Sequence, residues 1–215
     1  VKKKSIISDA VIRRLPIYHR FLNDVINKGI VRISSSELGD LTGFTASQIR
    51  QDLHNFGGFG QQGYGYNAVE LRDKLSDILG LNYNHYAVVV GAGHLGSAIA
   101  RYKGFRQSGF IIKALFDIDE NVIGNKVDDV PILNMADIVE YINKNDISVV
   151  VITTPKGAVD DVLNNILQCD IKGIWNFAPV DILLTDKSIV IENVKLNDSL
   201  LKLSYYLKET NEEGK

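Results

Sequence analysis

The sequence predicts an α/β protein in two parts: a small helical unit closed by a β-hairpin, then a parallel sheet wrapped by helices. Three observations predict it. From residue 86 onward, short apolar runs alternate with helical patterns, which is how a parallel sheet covered on both faces reads. The first of those runs leads straight into Gly91-Ala92-Gly93-His94-Leu95-Gly96. Residues 1–80 lack this alternation and instead show amphipathic helices followed by a Gly- and aromatic-rich stretch.

Residues 5–28 form the first predicted helix. Ile6, Ile7, Ala10, Val11, Leu15, Tyr18, Phe21, Leu22, Val25 and Ile26 recur at three- and four-residue spacing. Ser5 or Ser8 can cap it and Gly29 can end it, while Pro16 should break or kink it near Leu15. Val31-Arg32-Ile33 is a short β-like run. Ser34-Ser35-Ser36-Glu37 supplies caps for a helix through Leu41, and Thr42-Gly43-Phe44 is a turn. Thr45 caps a second helix from Ala46 to Asn55. Residues 57–66 read as a hairpin, 68–79 as a helix and 80–85 as a linker.

The second part continues with a strand at 86–90, a helix at 97–103 and a strand at 110–116. Helix 135–144, strand 148–153, helix 157–168, and strands 172–176 and 188–192 follow. From Ser199 a closing helix carries Leu200, Leu201, Leu203, Tyr205, Tyr206 and Leu207, and residues 209–215 read as a frayed polar tail.

Composition narrows the function classes. The 215 residues are 45% apolar and 23% charged, which excludes collagen, wholesale disorder and coiled-coil rods. No apolar run approaches the roughly 18 residues that cross a bilayer, and Val1-Lys2-Lys3-Lys4 lacks the apolar stretch of a secretory signal. A single cysteine, Cys169, and four scattered histidines predict neither an internal disulfide nor a metal site. The expectation is a cytoplasmic protein. Net charge is −2 but unevenly placed. Residues 1–80 hold 11 Lys+Arg against 8 Asp+Glu, and the remainder 13 against 18, so a phosphate-binding surface belongs in the first part.

The glycine loop has the context that gives it meaning: a strand before, a helix after, and Asp117 ending the next strand, 21 residues beyond Gly96. This is the pattern of a Rossmann dinucleotide site. Gly91 permits the tight turn, Gly93 lets the backbone approach a pyrophosphate, and Gly96 lets helix pack on strand. The helix N-terminus faces the phosphates with N–H groups and a positive dipole end. Asp117 would accept hydrogen bonds from a ribose and repel a 2′-phosphate, which favours NAD(H) over NADP(H). A vestigial site, or one for another nucleotide, fits the same spacing. His94 and Leu95 are loop side chains near the phosphates. Thr153-Thr154-Pro155 and Asn176-Phe177-Ala178-Pro179 end later strands, where the nicotinamide half sits. Both segments also read as ordinary loop punctuation.

Residues 37–50 have helix-turn-helix spacing. Gly39 allows close crossing, Gly43 makes the turn, and Leu38, Leu41, Ile49 and Leu53 would form the core. The second helix would enter a major groove with Ser47, Gln48, Arg50 and Gln51 on its exposed face. Arg reads guanine and Gln reads adenine through paired hydrogen bonds. Ser34, Ser35, Ser36, Thr45 and Lys2–Lys4 are phosphate-contact candidates, and the hairpin at 58–66 a wing. Short helix pairs of this kind also serve as protein-docking modules.

Taken together, these segments resemble the Rex family of bacterial redox-sensing transcriptional repressors. The likeness covers nearly the whole chain. It rests on Arg14-Leu15-Pro16-Ile17-Tyr18-His19-Arg20, Ser35-Ser36-Glu37-Leu38, Thr45 through Leu53, Gly63-Tyr64-Gly65-Tyr66, Gly91 through Ala98, Asn176-Phe177-Ala178-Pro179 and Glu192-Asn193-Val194. The resemblance implies a winged helix-turn-helix domain over 1–80, a Rossmann domain over 81–196, and a C-terminal helix and tail over 197–215 that is exchanged between the subunits of a homodimer. It implies binding to palindromic double-stranded operator DNA, with Gln62 and Tyr64 on the wing. It implies that NADH closes the dimer and releases DNA, that NAD+ does so less effectively, and that no metal, membrane or catalysis is involved. It places Arg20 and Tyr102 in a polar network that changes between states, and Phe105 near the nicotinamide. Three positions depart from the family pattern: Gln51 and Gln62 stand where basic residues are common, and Lys195 where an Asp is. The first two predict an altered base preference. The rival reading, an NAD-dependent oxidoreductase or a nucleotide-binding domain with a docking head, lacks a substrate domain and a placed acid/base pair.

Overall fold

A computed structural model describes residues 7–57, 64–185 and 188–213. The chain divides into two compact units, Val1–Tyr83 and Asn84–Lys215.

In the first unit, α1 (Asp9–Asn27) buries Val11, Leu15, Tyr18, Leu22 and Val25 as one stripe. It runs unbroken through Pro16, against the sequence expectation. Pro16 and Ile12 both lie on the exposed face, so water can satisfy the Ile12 carbonyl that Pro16 leaves without a donor, while the buried stripe holds the helix. Gly29, at φ 77°, then stops it, with Ile30 N–H bonding to Val25 O and Gly29 N–H to Ile26 O.

β1 (Arg32–Ile33) pairs antiparallel with β2 (Tyr66–Asn67). Between them lie α2 (Ser35–Thr42) and α3 (Ala46–His54). Ser34 and Glu37 form a reciprocal capping box at the start of α2. Asn67 caps α4 (Ala68–Ile78), which packs on α1. The core takes Leu38, Ile49 and Leu53 as expected, but Leu41 is 42% exposed. Gly39 sits at the close crossing as expected, since a methyl there would meet Phe44 O at 2.6 Å. Of the expected hairpin at 57–66, the described Tyr66 pairs instead with Ile33 of β1. Residues 58–63, Gln62 among them, and Lys2–Lys4 and Ser5 lie outside the described residues.

The second unit is a seven-stranded sheet in the order β5-β6-β4-β3-β7-β8-β9. Its strands are β3 (His85–Val90), β4 (Phe110–Asp117), β5 (Lys126–Val127), β6 (Val130–Asn134), β7 (Val149–Ile152), β8 (Gly173–Asn176) and β9 (Val190–Asn193). All pairs are parallel except β5–β6. Strand alternation sorts the core. Val88, Val90, Ala114, Phe116, Val150, Ile152 and Ile174 face α7 (Ile138–Lys144) and α8 (Val159–Ile166). Val89, Leu115, Val151 and Trp175 face α5 (His94–Arg101) and α6 (Gly104–Gln107). α9 (Leu196–Glu213) stays helical through most of the tail that reads as frayed. Among the described residues, no helix is long and apolar enough to cross a membrane, and no three metal-ligating side chains cluster.

Candidate cofactor cradle and nucleic-acid interface

The sheet reverses direction of growth between β3 and β7. Connections run outward through β4 and β6, then return to β7 on the other side of β3. The crevice at the carboxyl ends of these strands is where doubly wound sheets bind nucleotides. The glycine loop leaves β3 at that point, and its three glycines do three different things. Gly91 has φ 99°. A methyl on Gly96 would sit 1.9 Å from Gly91 O and 2.8 Å from Thr153 Oγ1, so α5 can close on the strand only without one. A methyl on Gly93 would meet nothing within 4 Å. That space lies at the N-cap of α5, where the first-turn N–H groups lack intrahelical partners.

Asp117 is drawn to the loop itself. Its Oδ2 accepts from Ala92 N–H at 2.6 Å, and its Oδ1 from Ile118 and Asp119 N–H. This fixes the loop against the end of β4 and leaves the carboxylate with acceptor capacity beyond those bonds. On the other flank, Thr153 Oγ1 lies 2.9 Å from both Val90 O and Gly91 O, tying β7 to the loop. Thr154 Oγ1 beside it is buried with no hydrogen-bond partner among the described residues. An orphaned hydroxyl costs stability unless something meets it. Open space over Gly93 and two glycines that exclude side chains together fit a dinucleotide's phosphate groups.

His94, Leu95 and Pro155 are exposed, and Tyr102 is 62% exposed. Four rings run in edge contact: Tyr102 to Phe105 at 4.7 Å, Phe105 to Trp175 at 5.1 Å and Trp175 to Phe177 at 4.6 Å. Phe105 and Phe177 thus share one face of the sheet. Ala178 does not join them, because its methyl is buried in the core of the opposite face, and Pro179 is exposed.

In the first unit, Thr45 caps α3 by accepting from Gln48 N–H. Ser47, Arg50 and Gln51 are exposed and Gln48 is half-buried. Arg50 donates to Ser35 Oγ at 2.8 Å, so the guanidinium and the start of α2 present one polar surface beside exposed Ser36. Tyr64 is exposed ahead of β2, and Arg32 donates to its carbonyl.

A buried group went unnoticed in the sequence. Asp52 of α3 is 2% exposed and takes Arg14 Nε at 2.6 Å, Arg14 Nη2 at 2.7 Å and Tyr18 O–H at 2.7 Å. Burial pushes the Asp52 carboxyl up, but the hydrogen bonds from Arg14 and Tyr18 and the Arg14 charge outweigh it and hold the group below the usual carboxylate range. Burial and the Asp52 contact push the Tyr18 phenol well up, so it stays a donor. The available clue was a carboxylate beside Leu53 and three residues after Ile49, on the helix's apolar face.

Known proteins match both units. Residues 6–54 match the family model "Putative DNA-binding protein N-terminus", and residues 82–180 match "CoA binding domain". The redox-sensing transcriptional repressor Rex of Clostridioides difficile (strain 630) is 53% identical over 203 residues, covering 94% of this chain and 96% of that protein. The chain belongs to the Rex family. Rex of Thermoanaerobacter sp. (strain X514) is 46% identical over 209 residues, covering 97% and 93%. Among solved structures, the Rex-family repressor RSP in complex with β-NAD+ and operator DNA superposes with a TM-score of 0.90 at 45% identity, covering 96% of this chain and 95% of that one. RSP in complex with β-NADH gives 0.87 at 43%, covering 96% and 97%. The Rex likeness therefore spans both units at once.

Proposed function

We infer that this chain is a homodimeric repressor that holds palindromic operator DNA through its first unit and lets go when NADH enters the second. The observation that carries this is one polypeptide with both a built dinucleotide cradle at the sheet reversal and an exposed recognition helix, in a family of redox-sensing repressors. Residues 1–80 make the DNA-binding part, 81–196 the cofactor part and 197–215 the dimer helix and tail. Gly91 to Gly96 take the pyrophosphate, Asp117 a ribose, and Thr153-Thr154-Pro155, Phe177 and Phe105 the nicotinamide end. Tyr102 and Pro179 border that end. Arg50, Gln51, Gln48 and Ser47 read bases; Ser35, Ser36, Thr45, Gln62 and Tyr64 contact the backbone. It works in the cytoplasm, where DNA and the NADH pool meet. The relatives, named as repressors throughout, leave the oxidoreductase reading without support.

The redox sense follows from charge. Phe177 and Phe105 make an apolar wall, and burying the cationic ring of NAD+ without a partner costs more than burying the neutral ring of NADH. NADH dislodges DNA only by binding the released state better. Moving the dimer from about 1:99 to 99:1 takes roughly 5.5 kcal/mol of differential affinity, so each of two sites supplies about half. The test is fluorescence anisotropy of a labelled palindromic operator at fixed salt. NADH should release it and matched NAD+ should not. Binding that neither nucleotide alters would refute the sensor, and no steep loss of affinity with salt would refute DNA binding.

A further inference from the structure

Two asparagines do more than end their strands. Asn176, at the end of β8, is 1% exposed. Its Nδ2 donates to Val180 O at 2.7 Å and to Asn193 Oδ1 at 2.8 Å, and its Oδ1 accepts from Ala178 N–H at 3.0 Å. Asn193, at the end of β9, returns the arrangement: Oδ1 also accepts from Ile182 N–H at 3.0 Å, and Nδ2 donates to Ile182 O at 3.2 Å. Residues 177–182 contain no helix or strand, yet this amide pair holds them at 178, 180 and 182. Phe177 N–H adds a bond to Ile152 O at 2.8 Å. On the far side, Val194 N–H bonds to Asn176 O at 2.8 Å, and Lys195 pairs with Asp181 at 2.9 Å, directly before α9 begins at Leu196.

We propose that Asn176 and Asn193 are positioning residues for the nicotinamide half of the cofactor, and that they make the Phe177 wall and the root of α9 one body. The pair meets four main-chain groups of the loop, Ala178 N–H, Val180 O, Ile182 N–H and Ile182 O, that an apolar pair would leave unbonded. The amide–amide bond between Asn176 and Asn193 makes these contacts one network, which fixes the loop's geometry as well as its stability. It does so at the carboxyl edge of the sheet, in the loop that begins with Phe177 and runs on through β9 to α9. Movement of that wall on filling must therefore move the root of α9 with it. Lys195 and Asp181 close the same joint with a surface ion pair in this chain.

The proposal rests on the cofactor reading above, and its test separates the two. The full-length protein is titrated calorimetrically with NADH and with ADP-ribose, which shares everything but the nicotinamide. Asn193→Ala should bind ADP-ribose within about twofold of the parent and NADH about tenfold more weakly, the scale of one lost hydrogen-bonded restraint. Asn193→Ser keeps one hydroxyl and should show the same asymmetry at smaller amplitude, so it carries the test if Asn193→Ala does not fold. A general packing role would lower both affinities together; equal losses, or no loss for NADH, would overturn the proposal. A parent protein that binds neither ligand would overturn the cofactor reading itself.

Discussion

At the scale of single residues, Gly93 and Gly96 are identical in sequence terms and opposite in consequence. A methyl on Gly96 meets backbone at 1.9 Å, and nothing flexible is there to yield. Gly96→Ala should cost about 1–3 kcal/mol and lower the melting midpoint, because overpacking at a close crossing must displace the chain. Gly93 has open space and extended backbone at φ −67° and ψ −167°, which any residue adopts. Gly93→Val should leave the melting midpoint close to the parent's and abolish NADH binding. A Gly93→Val protein that still binds NADH normally would show that no pyrophosphate lies over this loop. The spacing of the glycines was legible in the sequence, and so were the turn at Gly91 and the close packing at Gly96, since these follow from local geometry. The Asn176–Asn193 pair was not: its partners come from separate strands, and no local pattern records that two side chains 17 positions apart meet.

Elements were legible where burial is periodic. The alternation of β3, α5, β4, α7, β7, α8 and β8 follows from strands buried on both faces, which leaves continuous apolar runs. β5 and α6 went unread because they are short, and β6 because Pro131 interrupts it and only Ile132 of its five residues is buried, so none of the three makes a period. Leu41 was misassigned because helical spacing alone does not say which edge of the apolar stripe meets the partner. The seating of α3 on α1 shows the same limit, since Arg14 and Asp52 are 38 residues apart. That pair makes a prediction at this scale. The depressed Asp52 pKa adds stability that is present above the ordinary carboxylate value near about 4 and is lost as pH falls toward the folded value. Asp52→Asn should cost about 3–5 kcal/mol at pH 7, because it leaves Arg14 largely buried and unpaired. Thermal melts from pH 7 to pH 3 should show the gap between parent and variant narrowing below about pH 4. A gap independent of pH would mean that the carboxylate charge is not what holds α3.

At the scale of the whole molecule, α9 is the element the single chain cannot explain. Leu196, Leu200, Leu201, Leu203, Tyr205, Tyr206 and Leu207 are all more than half exposed, on a helix of 18 residues. In proteins most helical stability comes from packing an apolar face rather than from the helix alone. Leu196, Leu200, Leu203 and Leu207 fall at spacings of four, three and four, one stripe that asks for a surface as apolar as itself. A second copy of the chain would supply one in the proposed homodimer with exchanged helices. Each buried leucine contributes about 1.5–3 kcal/mol, so Leu200→Asp with Leu203→Asp should weaken the dimer by at least about a hundredfold. Sedimentation velocity would read this as monomer at micromolar concentration. Because a palindromic operator is read by two recognition helices at fixed spacing, the same variant should lose operator affinity while its monomers keep the glycine loop and still bind NADH. A dimer that survives both charges would place the subunit contact elsewhere. Loss of NADH binding along with the dimer would mean instead that the cradle is completed by the partner subunit, and the cofactor site could no longer be counted as the property of one chain.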